Sequence, residues 1–204
     1  MPDYYYTASP QSAHEDRHFR TVFSGRTLEF ETDAGVFSKQ HIDPGSELLC
    51  RSLPGDLRGD VLDMGCGWGA MTVMTLAAHP DVRMTMADIN ERALALAVRN
   101  VERNGMQAQA LLSDGFAQVA GEFDAVITNP PIRAGKAVIY RMFEDAKAHL
   151  RPGGALYLVI RKQQGAPSAL KFLRELYGDA EVVERDGGYW IIRCRKAAGA
   201  ETRG

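Results

Sequence analysis

The sequence predicts an α/β fold: an open, mostly parallel sheet of seven strands with the last one antiparallel, helices on both faces, and an amino-terminal β-hairpin extension. Three observations carry this. After residue 59 of the 204, short apolar runs alternate with segments of helical periodicity, the pattern of βαβ units. The final two runs are separated only by Asp186-Gly187-Gly188, too short for a crossover, so they must run antiparallel. Residues 18–32, HFRTVFSGRTLEFET, read as two short strands joined at Ser24-Gly25, a hairpin signal.

The elements follow in order. Asp43-Pro44-Gly45 opens a short helix to about Arg51, with Asp as the cap and Pro in the first turn. Strands are expected at 60–64, 82–88, 108–112, 123–128, 155–160, 180–185 and 189–195, with helices between the first six. The helix from Glu91 carries Leu94, Ala97, Val98 and Val101 on one face and stops at Gly105, a good left-handed terminator. The helix from about Lys136 carries Ile139, Met142, Phe143, Ala146 and Leu150, and Pro152-Gly153-Gly154 ends it. Residues 1–45 are thus an extension packed on the main domain, 46–198 that domain, and 199–204 a disordered tail.

Composition narrows the function classes. The chain is 45% hydrophobic and 25% charged, ordinary for a globular domain, and has no apolar segment long enough for a membrane helix. The start, MPDYYYTASP, lacks the basic and apolar regions of a secretory signal. Cys50, Cys66 and Cys194 are few and widely spaced, which argues for the reducing cytoplasm. His14, His18, His41, His79 and His149 are equally scattered, so no metal site is expected. A net charge of −2 is not that of a protein coating nucleic acid, yet a local basic patch suffices for RNA. Arg17, His18, Arg20, Arg26 and Lys39 lie in the first forty residues; Arg133, Lys136 and Arg141 follow a Pro pair, and Arg161 and Lys162 follow a later strand.

The chemistry begins at VLDMGCGWGA, residues 61–70, between the first strand of the main sheet and its helix. Gly65, Gly67 and Ala70 satisfy the G-x-G-x-x-G/A dinucleotide pattern, and Asp88 ends the next strand about 20 residues on. A nicotinamide oxidoreductase is therefore a rival. Asp63 tips the balance against it, because a carboxylate before the loop repels a pyrophosphate and welcomes a cation; the rival stays open, and binding of a nicotinamide cofactor would reveal it. S-adenosyl-L-methionine has no phosphate and carries an ammonium and a sulfonium. Asp88 is placed to accept two ribose hydroxyls, since Asn90 already caps the helix at Glu91. Asp114, in LLSDGF, is placed to accept an adenine amino group. Acids at three successive strand ends sit on the rim where open α/β sheets bind ligands.

ITNPPIRAGK, residues 127–136, ends the fourth main strand, which lies beside the first across the switch point. The prolines restrain Asn129 on both sides. Its amide oxygen and the Pro130 carbonyl offer two fixed acceptors, which suit an amine with two hydrogens to hold.

These motifs resemble those of class I S-adenosylmethionine-dependent N-methyltransferases. More closely, TDAGVFSKQHIDPGSELL, NPPIRAGK and KQQGAPSALKFLRELYG with VVERDGGYWIIR resemble the RsmC family of small-subunit ribosomal RNA guanine-N2 methyltransferases, in a short single-domain form. The resemblance runs from about Tyr4 to Arg195 and implies a Rossmann-like class I methyltransferase sheet. It implies that Asp63, Gly65, Cys66 and Gly67 line the methionine part of the cofactor, Asp88 and Ile89 the ribose, and Ser113 and Asp114 the adenine, with Asn129 alongside. Asn129 and Pro130 would be the catalytic grip on the guanine amine, with Pro131, Ile132, Arg133 and Lys136 toward the substrate. Ile132 stands where many relatives carry an aromatic. Phe37 is placed near the cofactor or in the core.

The partner implied is ribosomal RNA or the small subunit. The amino-terminal hairpin, with Arg20 and Arg26, and the helix after the prolines are expected to form one basic face around the crevice. A protein-glutamine methyltransferase and a non-catalytic RNA-binding module stay open as alternatives, the first separated by a peptide assay, the second opposed by the acids and Asn129 being present.

Overall fold

The turn at Ser24-Gly25 shapes the amino-terminal architecture. Both residues take positive φ, +48° and +72°, the pattern of a type I′ turn whose twist matches that of paired strands. The turn joins β1 (Arg17–Phe23) to β2 (Arg26–Thr32) in a separate two-stranded sheet. The computed structural model describes residues 17–32 and 41–199. Phe37, Lys39, His14 and the tail beyond Gly199 lie outside the described residues, as does the side chain of Arg17.

α1 (Pro44–Arg51) starts where expected, with the Asp43 carboxylate accepting from the Ser46 N–H at 2.9 Å. Then come β3 (Asp60–Met64), α2 (Ala70–Ala78), β4 (Arg83–Asp88), α3 (Glu91–Arg103), β5 (Gln109–Leu112), β6 (Phe123–Thr128), α4 (Lys136–Ala148), β7 (Leu150–Arg161), α5 (Ala166–Tyr177), β8 (Asp179–Asp186) and β9 (Tyr189–Arg195). The main sheet has the order β5-β4-β3-β6-β7-β9-β8. β9 is antiparallel to both its neighbours, and the other six strands share one direction. The order reverses between β3 and β6, so the crevice at their carboxyl ends is the switch point.

Alternation along the strands divides the core. Val61, Ala125 and Tyr157 face the hairpin, α1, α2 and α3; Leu62, Val126 and Leu158 face α4 and α5. The hairpin is fixed to the first layer by aromatic and amide contacts. Phe30, 1% exposed, meets Trp68 edge-on at 5.2 Å between ring centroids, and burying such a ring contributes about 1.5–3 kcal/mol. Asn104 takes the N–H and C=O of Glu29, and Asn100 those of Glu31, so two side chains of α3 satisfy the backbone of β2.

Two elements differ from expectation. Residues 113–122 form turns, not a helix: Gly115 and Gly121 hold positive φ, and Phe116 and Val119 reach the core without helical backbone. Pro152-Gly153-Gly154 does not end α4, whose cap is His149; it lies inside β7, where the pairing with β6 shifts register. Gly154 permits this because a Cβ there would stand 2.9 Å from the Asp124 carbonyl. Among the described residues no helix is long and apolar enough to cross a membrane.

Candidate active site

The loop after β3 is built by backbone bonds. Gly65 and Cys66 donate their N–H groups to the Ala87 carbonyl at 2.8 and 3.1 Å, folding the loop over the end of β4. Gly65 and Gly67 hold φ of +74° and +55°, where L side chains are strained, and the space beside their backbone is open. Gly69 serves packing instead, since a Cβ there would stand 3.0 Å from Ala97 of α3. Gly65 is exposed, Gly67 half-buried and Cys66 buried.

Asp63 sits at the end of β3, just before the loop. It is fully buried beneath the loop, and its Oδ2 accepts from the Thr72 hydroxyl at 2.7 Å. Thr72 is the third residue of α2, whose N-cap residue Gly69 offers no side-chain cap. Oδ1 has no hydrogen-bond partner. Burial pushes this carboxyl up to about 7, with the charge of Asp88 adding to the shift.

Asp88 stands half-buried at the end of β4. Its Oδ2 accepts from the Gly67 N–H and its Oδ1 from the Asn90 N–H, both at 2.8 Å. Burial raises its pKa, opposed by these backbone donors and that of Ile89. Asn90 itself caps α3 through Ala93 at 3.1 Å. At the end of β5, Ser113 is buried, with its hydroxyl donating to Gly115 O at 2.6 Å, while Asp114 is exposed. The crevice therefore presents Gly65, Gly67, Asp88, Ile89 and Asp114 on one side of the switch point, with Asp63 below.

Asn129 lies on the other side. Thr128 donates its hydroxyl to Met64 O at 2.8 Å, clamping the ends of β6 and β3 together. The Asn129 Nδ2 donates to Asp43 Oδ2 at 3.1 Å and to Ser46 Oγ at 2.9 Å. A carboxylate only accepts, so the NH2 must face Asp43 and the amide cannot flip. Both amide hydrogens are spent, and Oδ1 is left as the free acceptor. Pro130 is buried, and the turn beyond it bonds through Pro131 O and Ile132 O, leaving the Pro130 carbonyl outside those bonds.

Behind Asp43 the support continues. Tyr189 donates its hydroxyl to Asp43 Oδ1 at 3.5 Å and accepts from Arg161, whose guanidinium also lies 4.5 Å from the ring centroid. Gly45 gives Tyr189 its room, because a Cβ there would lie 2.6 Å from the ring. Sequence reasoning does not find Asp43, Ser46, Tyr189 and Arg161 as members of the site. Asp-Pro-Gly-Ser reads locally as a helix start, and nothing local says that the cap also reaches a residue 86 positions away.

Pro131 and Ile132 are half-buried, Ile132 packing on the α4–α5 side of the core. Arg133 and Lys136 are exposed beside Asn129, with Lys136 Nζ 5.0 Å from the Tyr140 ring centroid. Arg20 is paired with Glu29 at 2.6 Å. Arg26 flanks the turn opposite Phe23, whose ring meets Arg51 at the carboxyl end of α1, whereas Asn129 is held at the amino end of that helix. Glu31 adds acid to the hairpin: burial raises its carboxyl, but Arg99 and Arg103 outweigh that and hold it below its ordinary value. Among the described residues no group of His, Cys, Asp or Glu could hold a metal.

Comparison with known proteins bears on this geometry. The model of the family described as methyltransferase small domain matches residues 27–193. The uncharacterized protein YbxB of Bacillus subtilis is 38% identical over 200 residues, 96% of this chain and 100% of that protein. Ribosomal RNA small subunit methyltransferase C of Shewanella loihica is 42% identical over 168 residues, 80% of this chain and 48% of that protein. The solved structure of the T. thermophilus 16S rRNA N2 G1207 methyltransferase, RsmC, in complex with AdoMet and guanosine, superposes with a TM-score of 0.80 at 29% identity, covering 93% of this chain and 52% of that one. The chain thus spans about half the length of these two methyltransferases.

Proposed function

The chain belongs to the methyltransferase small domain family, and from that membership we propose that it moves a methyl group from S-adenosyl-L-methionine to the exocyclic N2 amine of a guanine in small-subunit ribosomal RNA. The observation that carries the proposal is the tethered amide of Asn129, whose NH2 is spent on Asp43 and Ser46 so that its oxygen is the group left to grip an amine. The relatives named for small-subunit ribosomal RNA support the substrate class.

The residues present fit the cofactor. The open space at Gly65 and Gly67 leaves room against the loop, and beneath it Asp63 Oδ1 is without a partner. Asp88, oriented by backbone donors, is positioned to accept ribose hydroxyls beside Ile89. Asp114, exposed beside buried Ser113, is suited to the adenine amino group. When bound, the cofactor supplies an electrophilic methyl on a sulfonium.

The guanine N2 lone pair is delocalised into its ring and is a poor nucleophile. Asn129 Oδ1 and the Pro130 carbonyl accept its two hydrogens, which favours a pyramidal nitrogen and turns the lone pair toward the methyl. Alignment then does most of the work. As the nitrogen bonded the methyl carbon, the carbon–sulfur bond would break with its electron pair passing to sulfur, leaving a neutral thioether, and the methylated nitrogen would then shed a proton to water, so no strong base is needed beforehand. A stacked guanine must leave its stack first.

The test is competitive labelling. Purified protein with methyl-labelled cofactor is offered small-subunit ribosomal RNA and a glutamine-bearing peptide together. Label is expected on the RNA; label on the peptide alone would assign the Asn-Pro-Pro grip to an amide instead.

A further inference from the structure

Several cations of the chain are held in ion pairs. Arg20, Arg83, Arg99 and Arg151 are each paired with a carboxylate. Past the ends of β6 and β7 the cations rest on aromatic rings or stand exposed. Lys136 lies over Tyr140, which stacks on Phe172 of α5 at 4.1 Å, and Arg161 lies over Tyr189. Lys162 is exposed, and its backbone N–H is tied to Gly188 O at 2.8 Å, which fixes its loop to the β8–β9 turn. No ion pair among the described residues involves Arg133, Lys136, Arg161 or Lys162. Aromatic seats restrain a cation without neutralising it, so these charges remain available to an anion.

Their placement is one-sided. The strand ends of β4 and β5 carry Asp88 and Asp114, while those of β6 and β7 carry Arg133, Lys136, Arg161 and Lys162. Asn129 stands at the border, and Arg161 reaches it through Tyr189 and Asp43. Glu184 and Asp186 bound the basic stretch at the far end of β8. A cationic cofactor suits the first half and a polyanion the second.

We propose that the loops after β6 and β7 form the phosphate track that docks the RNA strand carrying the target base, with Arg133 and Lys136 on one side of Asn129 and Arg161 and Lys162 on the other. This rests on the reading of the chain as an RNA methyltransferase. The occupant is a single-stranded segment, because the base must be splayed out to reach Asn129 and because cations seated on aromatics suit a backbone whose bases are unstacked. The hairpin is left out of the track, because Arg20 is paired with Glu29 and Arg26 lies opposite Phe23, whose ring meets Arg51 at the carboxyl end of α1 rather than at the end that holds Asn129.

The test uses the full chain and small-subunit ribosomal RNA, with binding followed across a salt series. Lys136→Glu with Lys162→Glu changes two exposed side chains that touch neither Asn129 nor the glycine loop. It is expected to weaken RNA binding and to reduce the slope of log affinity against log salt by roughly 2, one for each phosphate that the variant no longer neutralises. Cofactor affinity by calorimetry and the melting temperature are expected to stay at wild-type values. Arg20→Glu with Arg26→Glu, made in parallel, is expected to leave the slope unchanged. An unchanged slope in the Lys136, Lys162 variant, or a slope reduced only in the hairpin variant, overturns the track, as does a wild-type chain that binds no RNA. A wild-type chain that binds with the full slope but leaves no methyl on the RNA sinks the methylation reading and leaves the track standing.

Discussion

Asp43 and Asn129 lie 86 positions apart, yet the carboxylate Oδ2 of the first accepts from the amide Nδ2 of the second at 3.1 Å. The same oxygen caps α1 through the Ser46 N–H. One acid therefore starts a helix and sets the orientation of the residue proposed to hold the target amine. The orientation is positional, since both acceptors of the Asn129 NH2 sit on the first turn of a helix packed against the sheet.

Removing the Asp43 carboxylate separates cap from grip. Asp43→Ala is expected to destabilise the chain by about 1 kcal/mol because α1 is left uncapped. It is also expected to lower kcat by roughly 10²-fold through a misplaced amide, with cofactor affinity unchanged. Asp43→Asn keeps an acceptor for both donors and is expected to retain most of the activity. Single-turnover rates with saturating RNA decide this; an alanine variant turning over like wild type means that Asp43 does not position the amide.

Gly45 tests the layer behind. A Cβ there would press on the Tyr189 ring at 2.6 Å, so Gly45→Ala is expected to cost about 1–3 kcal/mol by overpacking. Calorimetric melting measures it. In a Tyr189→Ala background the same substitution is expected to add little, because the atoms it strikes are gone. Equal losses in both backgrounds would place the strain elsewhere.

How far the sequence carried this architecture depended on range. Strand and helix alternation, the Asp43 and Asn90 caps and the Gly105 terminator are local, and the structure repeats them. The helix expected between the strands at 108–112 and 123–128 does not form, because Gly115 and Gly121 turn the backbone. Pro152-Gly153-Gly154 looks like a stop because a bulge inside a strand uses the same residues. Asn100 and Asn104 take as partners the backbone of a strand 69 and 75 positions away, which nothing local signals. Arg20 looks like a free cation for the same reason, since strand pairing brings Glu29 opposite it.

Asp63 makes stability depend on pH. Its carboxyl keeps a proton up to about 7 in the fold, against an ordinary value of 3.8. The folded chain therefore binds more protons than the unfolded chain between roughly pH 4 and 7, and this group's contribution to stability falls as pH rises through that window. Asp63→Asn keeps an acceptor for Thr72 and carries no charge. Its stability relative to wild type is expected to rise between pH 5 and pH 8 in denaturant titrations. Parallel profiles for the two proteins would show that Asp63 is ionised throughout.

The claim at the centre is that Asn129 holds a guanine N2 amine for methylation, and nucleoside mass mapping of small-subunit ribosomal RNA treated with wild-type and Asn129→Ala protein tests it most directly. The account predicts N2-methylguanosine at a defined position with wild-type protein. It predicts none with Asn129→Ala, although that variant binds S-adenosyl-L-methionine with near wild-type affinity, because the amide oxygen it removes faces the target amine. A methyl group on another atom or base, or undiminished N2-methylguanosine from Asn129→Ala, would contradict it.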